Sequence, residues 1–160
     1  MSAIKTILLV CTGNSCRSVM AAGLLKKMLK DKGDYRIMTA GTMAIRGIRP
    51  SPGAVEVMAE EGIDISGHYG QPLSDEMLRQ ADLILVMEER QKENILMHYG
   101  DVEHKVHLLS EFGRIANENK LVDPNIPDPI GKSLDFYRKV YSIIKEGITR
   151  TVKKLEEEEK

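Results

Sequence analysis

A doubly wound α/β fold, with four parallel strands and helices on both faces, follows from three features of this sequence. Short apolar runs alternate with segments of helical periodicity. The first run, Ile4 to Val10 (IKTILLV), is nearly continuously apolar and rich in β-formers, the pattern of a strand buried on both faces. A small polar loop, CTGNSCRS, then joins that strand directly to a helix.

The elements follow in order. VMAAGLLKKMLKDKG sets Met20, Leu24, Leu25 and Met28 at helical spacing, with Gly33 placed to end the helix. Tyr35 to Ala40 (YRIMTA) reads as a second strand, and Thr42 to Pro52 (TMAIRGIRPSP) as a loop. Ser51 and Pro52 supply a cap and a first helical position for a helix over Gly53 to Glu61. GIDISGHYGQPL is irregular. Ser74 opens a short helix with acids in its first turn, ending near Ala81. Asp82 to Met87 (DLILVM) is a third buried strand, Glu88 to Tyr99 a helix, and Lys105 to Leu109 (KVHLL) a short fourth strand. Asn117 to Ser133 is a proline-containing loop. Leu134 to about Leu155 forms a long helix with Phe136, Val140, Ile143, Ile144 and Ile148 on one side. The final glutamates read as a solvated helix end or frayed tail. Neither a repeat nor a linker interrupts this pattern, so residues 1–160 are expected to form one domain.

Composition narrows the function classes. Hydrophobic residues are 42% and charged residues 29% of 160, as in an ordinary globular protein. A net charge of -1 argues against a nucleic-acid or membrane partner. No stretch approaches the about 18 apolar residues of a membrane span. The two cysteines, Cys11 and Cys16, make neither a disulfide scaffold nor a zinc site, and four scattered histidines add no metal ligands. A reducing, cytoplasmic setting is expected, without metal or other cofactor.

In a doubly wound sheet, ligands bind beyond the carboxyl ends of the strands. The first loop lies at that edge. Cys11 and Arg17 bracket five residues in it, and Ser18 follows. A strand-to-helix loop of this length can curl so that the backbone N–H groups of Thr12 to Ser18 point inward and, with the helix N-terminus, cradle an anion. Gly13 permits a φ that no other residue takes freely, and Asn14 tolerates the left-handed region. The sulfur of Cys11 would face the anion. Helix dipole, N–H groups and Arg17 should together lower its pKa. Arg17 can hold two phosphate oxygens at once, and Ser18 can donate to the sulfur when it leaves. The loop lacks the Gly-Lys-Ser/Thr ending of a nucleotide-binding P-loop.

VCTGNSCRS resembles the active-site loop of the low-molecular-weight protein phosphatases, and TAGT near residue 39, ISGH near 65, ADLILVM near 81 and PDPIG near 127 follow in that family's order. The resemblance covers nearly the whole chain. It implies a four-stranded sheet, a cysteinyl-phosphate intermediate, no metal and a phosphorylated protein as partner. It also implies that His68 and Thr39 join Asn14 in hydrogen bonds that hold the loop. Val19 departs from the family, which has proline there.

Such chemistry needs a proton donor for the leaving group. Two Asp-Pro pairs are available, Asp123-Pro124 and Asp128-Pro129. Gly131, Ser133 and a helix start follow Asp128, as in the family's acid loop, and select it over Asp123. Cys16 is close enough in sequence for a reversible disulfide with Cys11, the other reading being a small packed residue. The substrate is less legible. Aromatics are 4% of the chain, and none falls in TMAIRGIRPSP or DPIGKS. Ile130 stands where tyrosine phosphatases commonly carry Tyr or Phe, although a phenyl ring could still slide between aliphatic side chains such as Ile45 and Ile130. Ser15 stands where the protein-arginine phosphatase branch has threonine and tyrosine phosphatases an apolar residue. Phosphotyrosine is therefore the first expectation and phosphoarginine the second. Arsenate reductases share the loop, but VMEERQKENIL lacks their later cysteines. A non-catalytic phosphate-binding module would need neither a nucleophile nor an acid.

Overall fold

The structure is a computed structural model that describes residues 4–115 and 123–158. Its strands are β1 (Thr6–Cys11), β2 (Arg36–Gly41), β3 (Leu83–Val86) and β4 (Val106–Leu108). Its helices are α1 (Arg17–Leu29), α2 (Pro52–Glu60), α3 (Asp75–Gln80), α4 (Glu89–His98) and α5 (Leu134–Glu158). The sheet has four strands in the order β2-β1-β3-β4, and every pairing is parallel. β1 is thus flanked by the strand that follows it and by β3, and the strand order reverses at this point. Crevices at such reversals are where doubly wound sheets bind ligands.

Both faces of β1 are buried, which explains its unbroken apolar run. Ile7 and Leu9 pack with Leu83 and Leu85 of β3 under α1, α2 and α5. Leu8 and Val10 pack with Ile84 and Val86 under Met77 and Leu78 of α3 and Ile95 of α4. Because side chains alternate along a strand, one register serves both cores.

The ends of the elements move for identifiable reasons. α1 stops at Leu29, before Gly33. The Lys32 N–H donates to the Leu29 carbonyl at 3.0 Å, so the turn closes first, and Gly33, at φ 131°, bends the connection to β2. A 3₁₀ turn at Gly100–Lys105 that the sequence pattern does not signal connects α4 to β4. On α5 the deeply buried stripe runs through Tyr137, Val140, Tyr141, Ile144, Ile148, Val152 and Leu155. Phe136 and Ile143, expected on that stripe, are only partly buried at its edge. α5 also continues through Glu158, where Glu156 pairs with Lys32. The loop expected from Asn117 falls partly outside the described residues, since 116–122 are not among them. No helix among the described residues is long and apolar enough to cross a membrane.

Candidate active site

The loop from Cys11 to Arg17 lies between the end of β1 and the first turn of α1. Its shape is set by Asn14, the one non-glycine residue with positive φ, at 55°, among the described residues. Every polar group of Asn14 is engaged. Its backbone N–H approaches the Cys11 sulfur at 3.3 Å, and its side-chain Nδ2 donates to Ser18 Oγ at 2.8 Å. Its Oδ1 accepts the Gln71 N–H at 2.9 Å, and its carbonyl accepts from His68 Nε2 at 3.3 Å. Since a carbonyl cannot donate, Nε2 of His68 carries a proton. A left-handed residue costs about 1–3 kcal/mol unless its surroundings hold it, and these four contacts do so.

Of the two residues suited to positive φ, Asn14 takes it and Gly13 does not. A Cβ on Gly13 would meet only Ser15 Oγ, at 3.5 Å. The glycine required by close approach is Gly41, at the end of β2, where a Cβ would fall 2.5 Å from the Thr12 carbonyl. That contact is the physical content of the TAGT segment.

The Cys11 sulfur also lies 3.0 Å from Ser18 Oγ. Ser18 accepts from Asn14, so the one proton of its hydroxyl is left for the sulfur. Cys11, Asn14, Ser15, Cys16, Arg17 and Ser18 are all buried. Arg17 is 1% exposed, and a buried charge must be paired. Its Nη1 donates to Glu88 Oε2 and to the Ile126 carbonyl, both at 2.7 Å. Its Nη2 faces Asp128 Oδ2 at 3.9 Å. Nη1 being committed, Nε and Nη2 are the edge left for a bound anion.

Asp128 is therefore beside Arg17, with its Oδ1 accepting the Ile130 N–H at 3.1 Å. Asp123 instead turns back on its own loop, its Oδ1 accepting the Asn125 N–H at 2.9 Å. Thr39 departs from expectation. It is buried in β2 opposite Leu9, and its carbonyl, not its hydroxyl, is engaged, accepting from Gln71 Nε2 at 3.0 Å. Gln71 thus bridges Thr39 and Asn14, the part assigned to Thr39 from the sequence.

His68 is half-buried. Burial lowers its pKa below the ordinary value, Lys26 and Arg49 push it the same way, and the bond to Asn14 opposes them. Cys16 has partners of its own. Its sulfur is 2.9 Å from Ser51 Oγ and 3.7 Å from the Tyr137 hydroxyl, which itself donates to Ser51 at 3.0 Å. Burial raises the Cys16 pKa against these hydrogen bonds.

Three residues invisible as site candidates in the sequence join this network: Gln71, Glu88 and Gln91. The one available signal was Glu88, an acid at the carboxyl end of the strand beside the loop, where Arg17 needs a partner. Around the mouth, the loop after β2 presents Met43 and Ile45, and the loop after Asp128 presents Ile130, all exposed. The Thr42 and Met43 N–H groups donate to the Cys11 and Thr12 carbonyls at 3.0 and 2.9 Å, which presses the first of these loops against the cradle.

A buried thiol met by a backbone N–H and a hydroxyl, with a buried arginine ending its loop, is the arrangement expected of a phosphatase that works through cysteine. Comparison with known proteins leads to the same class. The family model described as low molecular weight phosphotyrosine protein phosphatase matches residues 6–160, and the chain belongs to that family, a family of hydrolases. A probable low molecular weight protein-tyrosine-phosphatase, EpsP of Ralstonia nicotianae, is 38% identical over 95% of this chain and 97% of its own. A protein-arginine-phosphatase of Bacillus subtilis is 32% identical over 95% of this chain and 97% of its own. The crystal structure of a low molecular weight protein tyrosine phosphatase from T. tengcongensis superposes with a TM-score of 0.85 at 35% identity, covering 94% of this chain and 99% of that one.

Proposed function

We propose that the chain dephosphorylates phosphotyrosine on proteins, with Cys11 as nucleophile, Arg17 as clamp and Asp128 as proton donor. The observation that carries this reading is the approach of Asp128 to within 3.9 Å of an arginine that ends the Cys11 loop. Phosphate would lie in the cradle formed by the N–H groups from Thr12 to Ser18, with Nε and Nη2 of Arg17 on two of its oxygens. The Cys11 sulfur attacks phosphorus, the P–O bond to the substrate breaks, and Asp128 protonates the departing oxygen. Water then attacks the thiophosphate, Asp128 takes its proton, and the S–P bond breaks. Ser18 donates to the leaving sulfur, and inorganic phosphate is released. A nucleophilic thiol must stay reduced to act, which fits a cytoplasmic setting.

The mouth supports a ring-bearing substrate. Met43 and Ile45 are exposed on the loop held to Thr12, and Ile130 on the loop held to Arg17, so a phenyl ring can bury apolar surface against aliphatic side chains without an aromatic partner. One observation favours phosphoarginine as a second reading. Ser15 carries a hydroxyl within the cradle, with Cys16 Sγ 3.8 Å away, and one full-length relative is named a protein-arginine-phosphatase.

Rates on phosphotyrosine and phosphoarginine peptides, measured with Ser15→Ile and Ser15→Thr, separate the two. If the hydroxyl selects arginine, Ser15→Ile depresses phosphoarginine turnover and spares phosphotyrosine, and Ser15→Thr does the reverse. Equal effects on both substrates would remove position 15 from specificity. No turnover of either peptide or of para-nitrophenyl phosphate would leave only a binding module.

A further inference from the structure

Gln91 is an unusual place for an amide. It sits in the first turn of α4 and is 1% exposed, although the helix it belongs to is mostly polar and mostly at the surface. A buried amide must find partners for two acceptor and two donor positions. Gln91 finds all four. Its Oε1 accepts the N–H groups of Met87 and Glu88 at 2.8 and 2.9 Å, which caps the helix. Its Nε2 donates to Thr12 Oγ1 at 3.1 Å and to Glu88 Oε2 at 3.3 Å.

The two acceptor contacts are ordinary capping. The two donor contacts are not, because both reach the phosphate cradle. Thr12 follows the Cys11 nucleophile directly, and Glu88 is the carboxylate that holds Nη1 of Arg17 at 2.7 Å. One NH₂ group therefore ties the start of the loop to the partner of the arginine at its end. Thr12 Oγ1 accepts from Gln91, so the hydroxyl keeps its own proton to donate. Glu88 Oε2 also takes Arg90 Nη2 at 3.4 Å, a longer contact from an exposed side chain, so Arg17 and the buried Gln91 are its main constraints.

We infer that Gln91 is a positioning residue for phosphate binding, orienting the Thr12 hydroxyl and the Glu88–Arg17 pair through its two amide protons. The inference rests on the reading of the cradle as the phosphate site. It assigns Gln91 no contact with substrate. Its effect reaches the anion through Thr12 and Arg17, and falls on phosphate affinity as well as on turnover.

The alternative is a helix cap and nothing more, and a double-mutant cycle separates the two. Affinity for inorganic phosphate is measured by calorimetry for the wild type, Gln91→Met, Thr12→Val and the double variant, with melting temperature recorded alongside. Positioning predicts that Gln91→Met weakens phosphate binding about ten-fold on the wild-type background, and about three-fold or less once Thr12 is already valine, since contacting residues couple. A lowered melting temperature with phosphate affinity within about two-fold of wild type would reduce Gln91 to a cap. The same loss on both backgrounds would overturn the Thr12 arm of the inference, because the effect would then reach the anion only through the Glu88–Arg17 pair. If Gln91→Met does not fold, Gln91→Glu replaces it in the same cycle. That variant keeps oxygen acceptors for Met87 and Glu88 and loses the NH₂ donors. Binding is read without turnover, so a wild type that binds phosphate yet hydrolyses nothing counts against the catalytic reading alone.

Discussion

Cys11 and Cys16 lie in one loop and are buried almost equally, at 2% and 3% exposure, yet their sulfurs sit in opposed surroundings. The Cys11 sulfur is at the open end of β1 and meets the Ser18 hydroxyl and the Asn14 N–H. The Cys16 sulfur is turned away to the N-terminus of α2 and the buried side of α5, against Ser51 and Tyr137, where burial raises its pKa. Burial alone therefore says little about a thiol. What differs is the set of groups around each sulfur: a backbone N–H and the Ser18 hydroxyl at Cys11, two hydroxyls from distant elements at Cys16.

Exchanging the sulfurs one at a time tests this directly and should give the largest effect. Cys11→Ser abolishes turnover of para-nitrophenyl phosphate while phosphate binding survives, since the cradle is largely backbone. A residual rate above a few per cent of wild type, read by steady-state kinetics, breaks the assignment. Asp128→Ala comes next. Positioned acids contribute about 10²–10⁴-fold, and the loss should be greatest for alkyl phosphates and least for leaving groups that need no proton. Asp123→Ala should do far less, because that carboxylate caps Asn125.

A smaller effect concerns what Cys16 does under oxidation. If Cys16 protects Cys11, peroxide should convert the Cys11 thiol to a sulfenic acid, and condensation with the Cys16 thiol should release water and form a disulfide that added thiol reduces. To reach Cys11, the Cys16 side chain must leave Ser51 and Tyr137. Cys16→Ser is expected to make peroxide inactivation irreversible, with sulfinic acid at Cys11 in the mass spectrum. Full recovery by thiol in that variant would show that Cys16 only packs.

The smallest effect is on pH dependence and comes from His68, which donates to the Asn14 carbonyl. The folded-state pKa of His68 is lowered from its ordinary 6.5. A depressed pKa means that the stabilisation it provides is present above 6.5 and is lost as pH falls through the lower folded value. His107, also lowered by burial, acts in the same direction from outside the site. His68→Gln keeps a donor for the Asn14 carbonyl and removes one titration. Melting temperatures measured between pH 5 and 8 should thus fall less steeply with acid in His68→Gln than in wild type. His107→Gln, tested alongside, separates the contribution of the distant histidine. An identical slope in wild type and His68→Gln would detach His68 from the account.

The sequence was most informative where chemistry is local. A continuous apolar run, a small polar loop and a helix in direct succession define both the sheet edge and the cradle, and Asn14 and Ser18 act within four residues of each other. It was least informative where a contact spans the chain. Gln91 meets Thr12 across 79 residues and Glu88 meets Arg17 across 71, and a polar residue opening a surface helix reads as solvated. Gln71 occupies the role given to Thr39 because its backbone and side chain together join Asn14 in the first loop to Thr39 in β2, which a pattern of single residues does not disclose. Asn14 takes the left-handed conformation that its side chain tolerates, whereas Gly13, although glycine is the usual occupant of positive φ, does not.

The contrast between the two sulfurs is tested most directly by site-resolved alkylation. The native chain is treated with iodoacetate near neutral pH, with and without inorganic phosphate, and each cysteine's adduct is quantified by peptide mass spectrometry. The account predicts carboxymethylation at Cys11, suppressed by phosphate, with Cys16 unmodified until the pH rises above the ordinary thiol value of 9.0. Modification of Cys16 at a rate equal to that of Cys11, or labelling of Cys11 that phosphate leaves unchanged, would contradict it.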